Sequence, residues 1–353
     1  MEVKKDGLGM LDMIIRPGFC VKENLIVKVN SAAQALLITP GIDVRELLMT
    51  GQEEYEAFED GCLYLTLSLS SSGCGASVTR MEDLDVFMLD QEGDDSELRV
   101  LALAAQELRK PLTSVMASAK QLTALTQGDT VEYAARLNRG LHQLLRVISN
   151  MSDAGRYAIC SRQETRDIGA LFAEMMEKAQ ILVEHTGIRF HYQGLAEEVL
   201  CLADGEQLER AVLNILSNAV KFTPAGGIID VSLSRREKLL QLRVWDSGSG
   251  IAECILGNVF SRYLRQPGLE DSRHGLGLGM VLIRSAAANH GGTVLIDQPQ
   301  ETGTRITMTM SIRQNTDTRL HSPVMRIDYT GGWDHGLIEL SESLPVSVYE
   351  AEK

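Results

Sequence analysis

NILSNAVKFTPAGG (residues 214–227) decides how the C-terminal half of this chain folds. It continues from Asp204-Gly-Glu-Gln207, the spacing of a capping box, which predicts a helix start. Leu208, Ala211, Val212, Ile215 and Ala219 give that helix an apolar face. Asn214, Asn218 and Lys221 stand at i, i+4 and i+7 and share a different face. Two amides and an ammonium projecting together suit a hydrated Mg2+ and phosphate oxygens. A lone polar stripe is more often a solvated helix face, so the neighbouring segments have to decide between the two.

Working outward, Trp245-Asp246-Ser247-Gly248-Ser249-Gly250-Ile251 closes the strand-like run LLQLRVWD (239–246). Its glycines allow a tight turn, and a carboxylate at a strand end accepts from the exocyclic amine of adenine. VFSRYLR (259–265) carries Arg262 and Arg265, whose guanidinium groups reach phosphate. HGLGLG (274–279) runs directly into MVLIRSAAANHGG. Glycines just before a helix expose N–H groups at its positive end, an anion site. Strands are predicted at VLCLA (199–203), IIDVSLS (228–234), LLQLRVWD, TVLID (293–297) and RITMTMS (305–311), with a helix from Ile168 to Glu184. Together they make an α/β sandwich over residues 165–313.

In this order the pieces resemble the catalytic ATP-binding domain of sensor histidine kinases. The resemblance implies ATP and Mg2+ as cofactors. It makes Asn218 the main Mg2+ ligand with Asn214 assisting, sets Lys221 against phosphate, and gives Asp246 to adenine. Gly248, Gly250, Gly275, Gly277 and Gly279 would shape the pocket and its lid, Arg262 and Arg265 would flank it, and GTRITMTM (303–310), with Thr304, would close it. In gyrase-type and chaperone ATPases of the wider superfamily a glutamate stands where this chain has Asn214. An amide is a poor base, which favours the kinase branch over a motor ATPase.

Upstream the pattern becomes heptad-like. Leu98, Leu101, Ala105, Leu108, Leu112, Val115, Ala119 and Leu122 alternate steps of three and four, and so do Ala134, Leu137, Leu141, Leu144, Ile148 and Met151. TQGDT (126–130) separates the two series, predicting a helical hairpin with Pro111 inside its first helix. One hairpin covers one seam, so a homodimeric four-helix bundle is expected. AAQELRKPLTSV (104–115) resembles the phosphoacceptor motif of the same kinases. Glu107, Leu108, Arg109, Pro111 and Leu112 match, but Gln106 occupies the histidine position. Its amide lone pair is delocalised and cannot attack a phosphoryl group. Glu107, the base in the family pattern, has no imidazole to serve, and Lys110 replaces the Thr or Asn that positions water. His142, on the second helix, is expected at the surface.

Residues 11–90 read as a small α+β unit. LIVKVN (25–30) is a strand, SAAQALLI (31–38) a helix capped by Ser31, and LYLTLSLS (63–70) alternates as a strand. SSGCG (71–75) reads as a turn, and ASVTR and DVFML as strands. The order resembles a PAS sensor domain; a generic α+β module is the alternative. The expected fold class is therefore multidomain α+β: a PAS-like domain (1–92), a helical hairpin forming a dimeric four-helix bundle (93–160), an α/β sandwich of the gyrase/histidine-kinase ATPase type (161–314) and an extension of unknown role (315–353).

The 353 residues carry a net charge of −14, which argues against nucleic acid as a partner. The six cysteines form no CxxC pair, and no run approaches a membrane span, so a cytoplasmic protein without membrane insertion is expected. The resemblance implies a two-component signalling protein that binds Mg-ATP but lacks its phosphoacceptor, with a response regulator or partner kinase as partner. The alternatives are a kinase acting on a histidine of another protein or on His142, and a nucleotide-regulated scaffold.

Overall fold

A computed structural model describes residues 11, 14–69, 72–81, 83–90, 94–157, 163–260, 277–298, 302–313 and 332–350. The N-terminal unit is a five-stranded antiparallel sheet in the order β2-β1-β5-β4-β3. Its strands are β1 (Gly18–Lys22), β2 (Leu25–Val29), β3 (Cys62–Leu69), β4 (Ser72–Met81) and β5 (Leu84–Leu89). Glu23 and Asn24 both adopt positive φ, the backbone of a two-residue hairpin turn between β1 and β2. Two short helices, α1 (Ser31–Gln34) and α2 (Gln52–Glu56), lie between β2 and β3. The cap of α1 is Asn30, not Ser31. Its buried side chain accepts from Ala33 N at 3.0 Å and from Gly18 N at 3.1 Å, tying the helix to β1. Ser72 to Gly75 belong to β4, so the turn expected over 71–75 is displaced. Strand alternation buries Leu63, Leu65 and Leu67 with Tyr55, Phe58 and the stacked pair Phe19–Phe87.

The hairpin follows as α3 (Asp94–Leu125) and α4 (Thr130–Tyr157). The first helix begins in the acidic stretch EGDDSE (92–97), a polar segment that by composition suggests a break between units, and it runs through Pro111. Gly155 permits a close approach of the two helices, since a Cβ there would stand 2.6 Å from the Leu98 carbonyl oxygen. Each predicted seam splits in two. Leu98, Ala105, Ala119, Leu141 and Ile148 are buried, whereas Leu108, Val115, Leu122, Leu137 and Leu144 remain about half exposed.

The C-terminal unit stacks helices α5 (Ile168–Glu184), α6 (Gly205–Phe222) and α8 (Leu278–Asn289) on strands β11 (Val294–Asp297), β12 (Thr304–Ser311), β10 (Leu239–Asp246), β9 (Ile228–Arg236) and β7 (Arg189–Gln193). A short helix, α7 (Glu253–Leu256), follows β10. Strand β7, absent from the sequence reading, pairs parallel with β9, and β6 (Glu164–Asp167) pairs with β8 (Leu200–Ala203) in a separate two-stranded sheet.

The two units share one ten-stranded sheet, because β3 pairs antiparallel with β11 through Cys62↔Ile296, Leu63↔Leu295 and Tyr64↔Val294. Side chains reinforce the join. Thr309 Oγ1 donates to Glu54 Oε1 at 2.9 Å, and Arg284 meets Asp90 at 2.7 Å. Residues 332–350 then fold back as α9 (His335–Glu339) and a 3-10 turn (Val346–Tyr349). Ile338 joins an apolar cluster with Met116, Ala119, Leu141 and Leu145 of the hairpin, and Leu340, Leu344 and Tyr349 enter the core of the C-terminal unit.

Candidate functional site

Helix α6 starts where the capping box predicts. Asp204 accepts from Gln207 N at 3.1 Å, while its own N–H donates to His290 Nε2 at 2.9 Å. His290 Nδ1 lies 2.6 Å from the Ala286 carbonyl, which assigns the proton to Nδ1. Burial pushes the His290 pKa down and keeps the ring neutral, so the start of α6 is locked to the end of α8.

The alternation of β10 aims Asp246. Leu240, Leu242 and Val244 are buried, and Asp246 is the next residue on that inward face. Burial pushes its carboxyl up to about 6, against the opposing pull of backbone N–H donors, among them Gly248 N at 2.9 Å. A side chain at position 248 would put its Cβ 2.6 Å from the Phe222 carbonyl oxygen, so glycine alone lets the turn pass α6.

Between α6, β10 and α8 lies a cavity of about 320 Å³, within the roughly 300 to 1,000 Å³ of small-molecule pockets. Asn214, Asn218, Lys221, Asp246, Gly250, Gly277, Gly279 and Thr304 all line it. Gly248 supports the turn from behind. Gly275, Arg262 and Arg265 fall outside the described residues. Asn214 Nδ2 donates to the Arg210 carbonyl at 2.8 Å, and its Oδ1 would stand 2.8 Å from a Cβ at Gly279. Its carbonyl oxygen therefore faces the glycine turn at the entrance to α8. Ile215, Val244, Ile255, Val259 and Ile306 make the rest of the wall apolar. A flat ring whose donor meets Asp246, carrying an anionic tail toward Asn218 and Lys221, matches this distribution. The neutral amide oxygens of Asn214 and Asn218 suit a Mg2+ that keeps water and phosphate ligands.

The hairpin positions are not brought to this cavity. Gln106, Glu107 and Lys110 are exposed on α3, none lines the cavity, and Glu107 makes no ion pair among the described residues. Arg109 instead reaches Ser149 Oγ at 3.2 Å. His142 is not a surface residue. It is buried between Trp333 and Tyr349, whose rings approach edge-on at 5.5 and 5.1 Å, and burial lowers its pKa.

The sequence reading missed the other wall. Arg146, Val147 and Asn150 of α4 and Glu342 of the C-terminal segment line the same cavity. It also missed Arg210, one turn before Asn214 on the same face of α6. Arg210 is fully buried, with Asp153 at 3.0 Å, Asn150 at 2.6 Å and Glu339 as partners. Extending the Asn214–Asn218 stripe back by four residues would have found it.

Residues 203–314 match the family described as histidine kinase-, DNA gyrase B- and HSP90-like ATPase. The chain is 28% identical over 262 residues to the adaptive-response sensory kinase SasA of Synechococcus sp. (strain CC9311), covering 71% of this chain and 68% of that one. It is 26% identical over 228 residues to the sensor protein KdpD of Clostridium acetobutylicum, covering 60% of this chain and only 25% of that protein. Among solved structures, full-length ShkA in complex with AMPPNP aligns with a TM-score of 0.49 and 23% identity, over 62% of this chain and 47% of that one. No described helix is long and apolar enough to cross a membrane. Residues 203–314 thus carry an ATPase domain of this type, and the chain as a whole is similar to proteins named sensor kinases.

Proposed function

We propose that this protein binds Mg-ATP as a degenerate kinase of two-component signalling, using nucleotide state rather than phosphoryl transfer from its own hairpin. The observation that carries the proposal is the convergence of Asn214, Asn218, Lys221 and Asp246 on one cavity while Gln106 stays exposed outside it. Asn218, helped by Asn214, holds the metal, which would draw charge from the phosphates. Lys221 meets phosphate, Asp246 accepts from adenine, and Gly250, Gly277, Gly279 and Thr304 shape the walls. The burial of His142 under the C-terminal segment favours this reading over phosphorylation at that histidine.

The half-exposed stripe of Leu108, Val115, Leu122, Leu137 and Leu144 supports a homodimer through a four-helix bundle. The five-stranded sheet with short helices between its second and third strands supports a PAS-like input domain. The docked output partner is a response regulator or a second kinase, met in the cytoplasm. Calorimetry with ATP, with and without Mg2+, tests the core of the proposal. Binding that strengthens with Mg2+, together with no acid-labile phosphate on the protein after incubation with γ-labelled ATP, is expected. Absence of ATP binding, or a phosphohistidine on the wild-type hairpin, contradicts it.

A further inference from the structure

We infer that residues 332–350 form an intramolecular strap that competes with nucleotide phosphate for Lys221 and Arg146, so that nucleotide binding and strap docking oppose each other. The inference rests on the nucleotide reading of the cavity. Glu342 reaches Lys221 Nζ at 3.0 Å and Arg146 NH1 at 3.0 Å, and it lines the cavity itself. Burial alone would push the Glu342 carboxyl up, but Arg146 and Lys221 outweigh it and hold the group below the usual range, so it stands there as an anion. One turn earlier Glu339, fully buried, meets Arg210, Arg146 and, at 3.4 Å, the Nδ2 of Asn214. Two carboxylates of the strap thus engage a proposed phosphate contact and a proposed metal ligand.

The remaining contacts make the strap a fitted element rather than a loose end. Arg139 donates to the Ser341 carbonyl at 3.0 Å and to the Glu342 carbonyl at 2.8 Å, and Gln143 donates to Ser341 O at 3.1 Å. Asp334 caps α9 by accepting from Leu337 N at 2.8 Å. Tyr349 Oη donates to Leu337 O at 2.7 Å and closes the segment on itself. Because these anchors lie on α4 as well as on the ATPase side, the docked strap ties the hairpin to the nucleotide domain. A triphosphate drawn to Lys221 places anion beside anion. Its binding loosens the strap, and by linkage a loosened strap strengthens nucleotide binding.

Full-length Glu342→Gln removes the charge and keeps a side chain of the same size. Its Mg-ATP affinity is expected to rise roughly 3- to 10-fold over wild type. Asp334→Ala, which touches no cavity residue, weakens the strap's cap and is expected to give roughly a 2- to 5-fold rise. Hydrogen exchange of wild-type amides 332–350 should accelerate on adding Mg-ATP. Unchanged or weaker affinity in both variants, with strap exchange indifferent to nucleotide, overturns the strap while leaving the nucleotide site standing. Binding by Glu342→Gln where wild type binds too weakly to detect supports it. No nucleotide binding by wild type or either variant overturns both readings.

Discussion

The cavity between α6, β10 and α8 and the Gln106 face of the hairpin both carry residues that resemble kinase motifs, and they differ in how those residues stand. In the cavity, eight of the motif residues converge from α6, β10, α8, β12 and the turns between them. On α3, the motif survives as Glu107, Arg109 and Pro111 around a residue that has no nucleophilic nitrogen. The wall the hairpin offers the cavity comes from the other helix, through Arg146, Val147 and Asn150. A converging pocket constrains its members, since the Asn214 amide and the Asp246 carboxylate are buried in it and must be satisfied. An exposed helix position places no such demand, so the hairpin can lose its chemistry without losing its fold.

The joint between the two regions gives the largest expected effect. Arg210 is buried with the carboxylates of Asp153 and Glu339, and Arg210→Ala leaves both without that guanidinium. Breaking a buried pair from one side costs about 3 to 5 kcal/mol, and thermal unfolding should register that loss. A change under about 1 kcal/mol would mean that hairpin and cavity do not depend on this joint.

Asp246→Asn comes next and separates binding from stability. The side chain keeps its shape and an acceptor for Gly248 N, but it presents an amide N–H donor where the proposed adenine contact requires an acceptor. Nucleotide affinity should fall roughly 100-fold. The empty fold should gain, because Asp246 titrates near 6 in the protein against an ordinary 3.8. The folded state binds the extra proton between those values, so the group destabilises the protein most above pH 6, and the penalty fades as pH falls from 6 toward 4. Denaturant unfolding should find the Asn variant more stable by roughly 1 to 3 kcal/mol at pH 7.5, with the gap narrowing by pH 5. A gap independent of pH would remove burial of the charge as its cause.

Leu144 tests the hairpin's outward face, being 54% exposed in the single chain. Leu144→Asp should weaken the proposed homodimer by on the order of 2 kcal/mol while moving monomer stability by under about 0.5 kcal/mol. Leu112 sits half-buried beside Met116 and Leu145, so Leu112→Asp should damage the hairpin itself. Light scattering and unfolding together distinguish the two. A wild-type monomer at micromolar concentration would contradict the bundle.

What was legible in the sequence follows the same division. Period-2 and capping signals located β9, β10, β12 and the start of α6, because each is fixed by local chemistry. The i, i+4, i+7 spacing groups Asn214, Asn218 and Lys221, and all three line the cavity. Strand β7 does alternate, with Phe190 and Tyr192 between Arg189, His191 and Gln193, but five residues with two apolar members make a short signal, and the parallel pairing with β9 is a tertiary choice. The pairing of β3 with β11 is a tertiary choice between two strands that each looked complete alone. The heptad steps gave both helices but merged an inward and an outward face into one seam. The C-terminal segment was opaque for a related reason. Its Glu339 and Glu342 look like ordinary surface acids until Arg146, Arg210 and Lys221 are brought beside them by residues about 120 to 190 positions away.

The smallest expected effect is that of placing an imidazole at position 106. Gln106→His supplies a nucleophile, and Glu107 already follows it, but phosphoryl transfer also needs near-attack geometry of about 3 to 3.5 Å. Gln106 lies outside the cavity's lining, and the strap holds the nucleotide domain against α4 through Arg139, Arg146 and Arg210. The single variant should therefore gain no more than trace acid-labile, base-stable phosphate from γ-labelled ATP. Adding Glu342→Gln loosens the strap and frees the domain to sample other docked positions, so the double variant should exceed the single one. Equal and strong labelling of both would show that the hairpin and the cavity still meet without hindrance, and that one side chain is all that separates this chain from an autokinase. Silence from both, with ATP binding and dimerisation intact, would mean that the docking surface around Lys110 has diverged along with the phosphoacceptor.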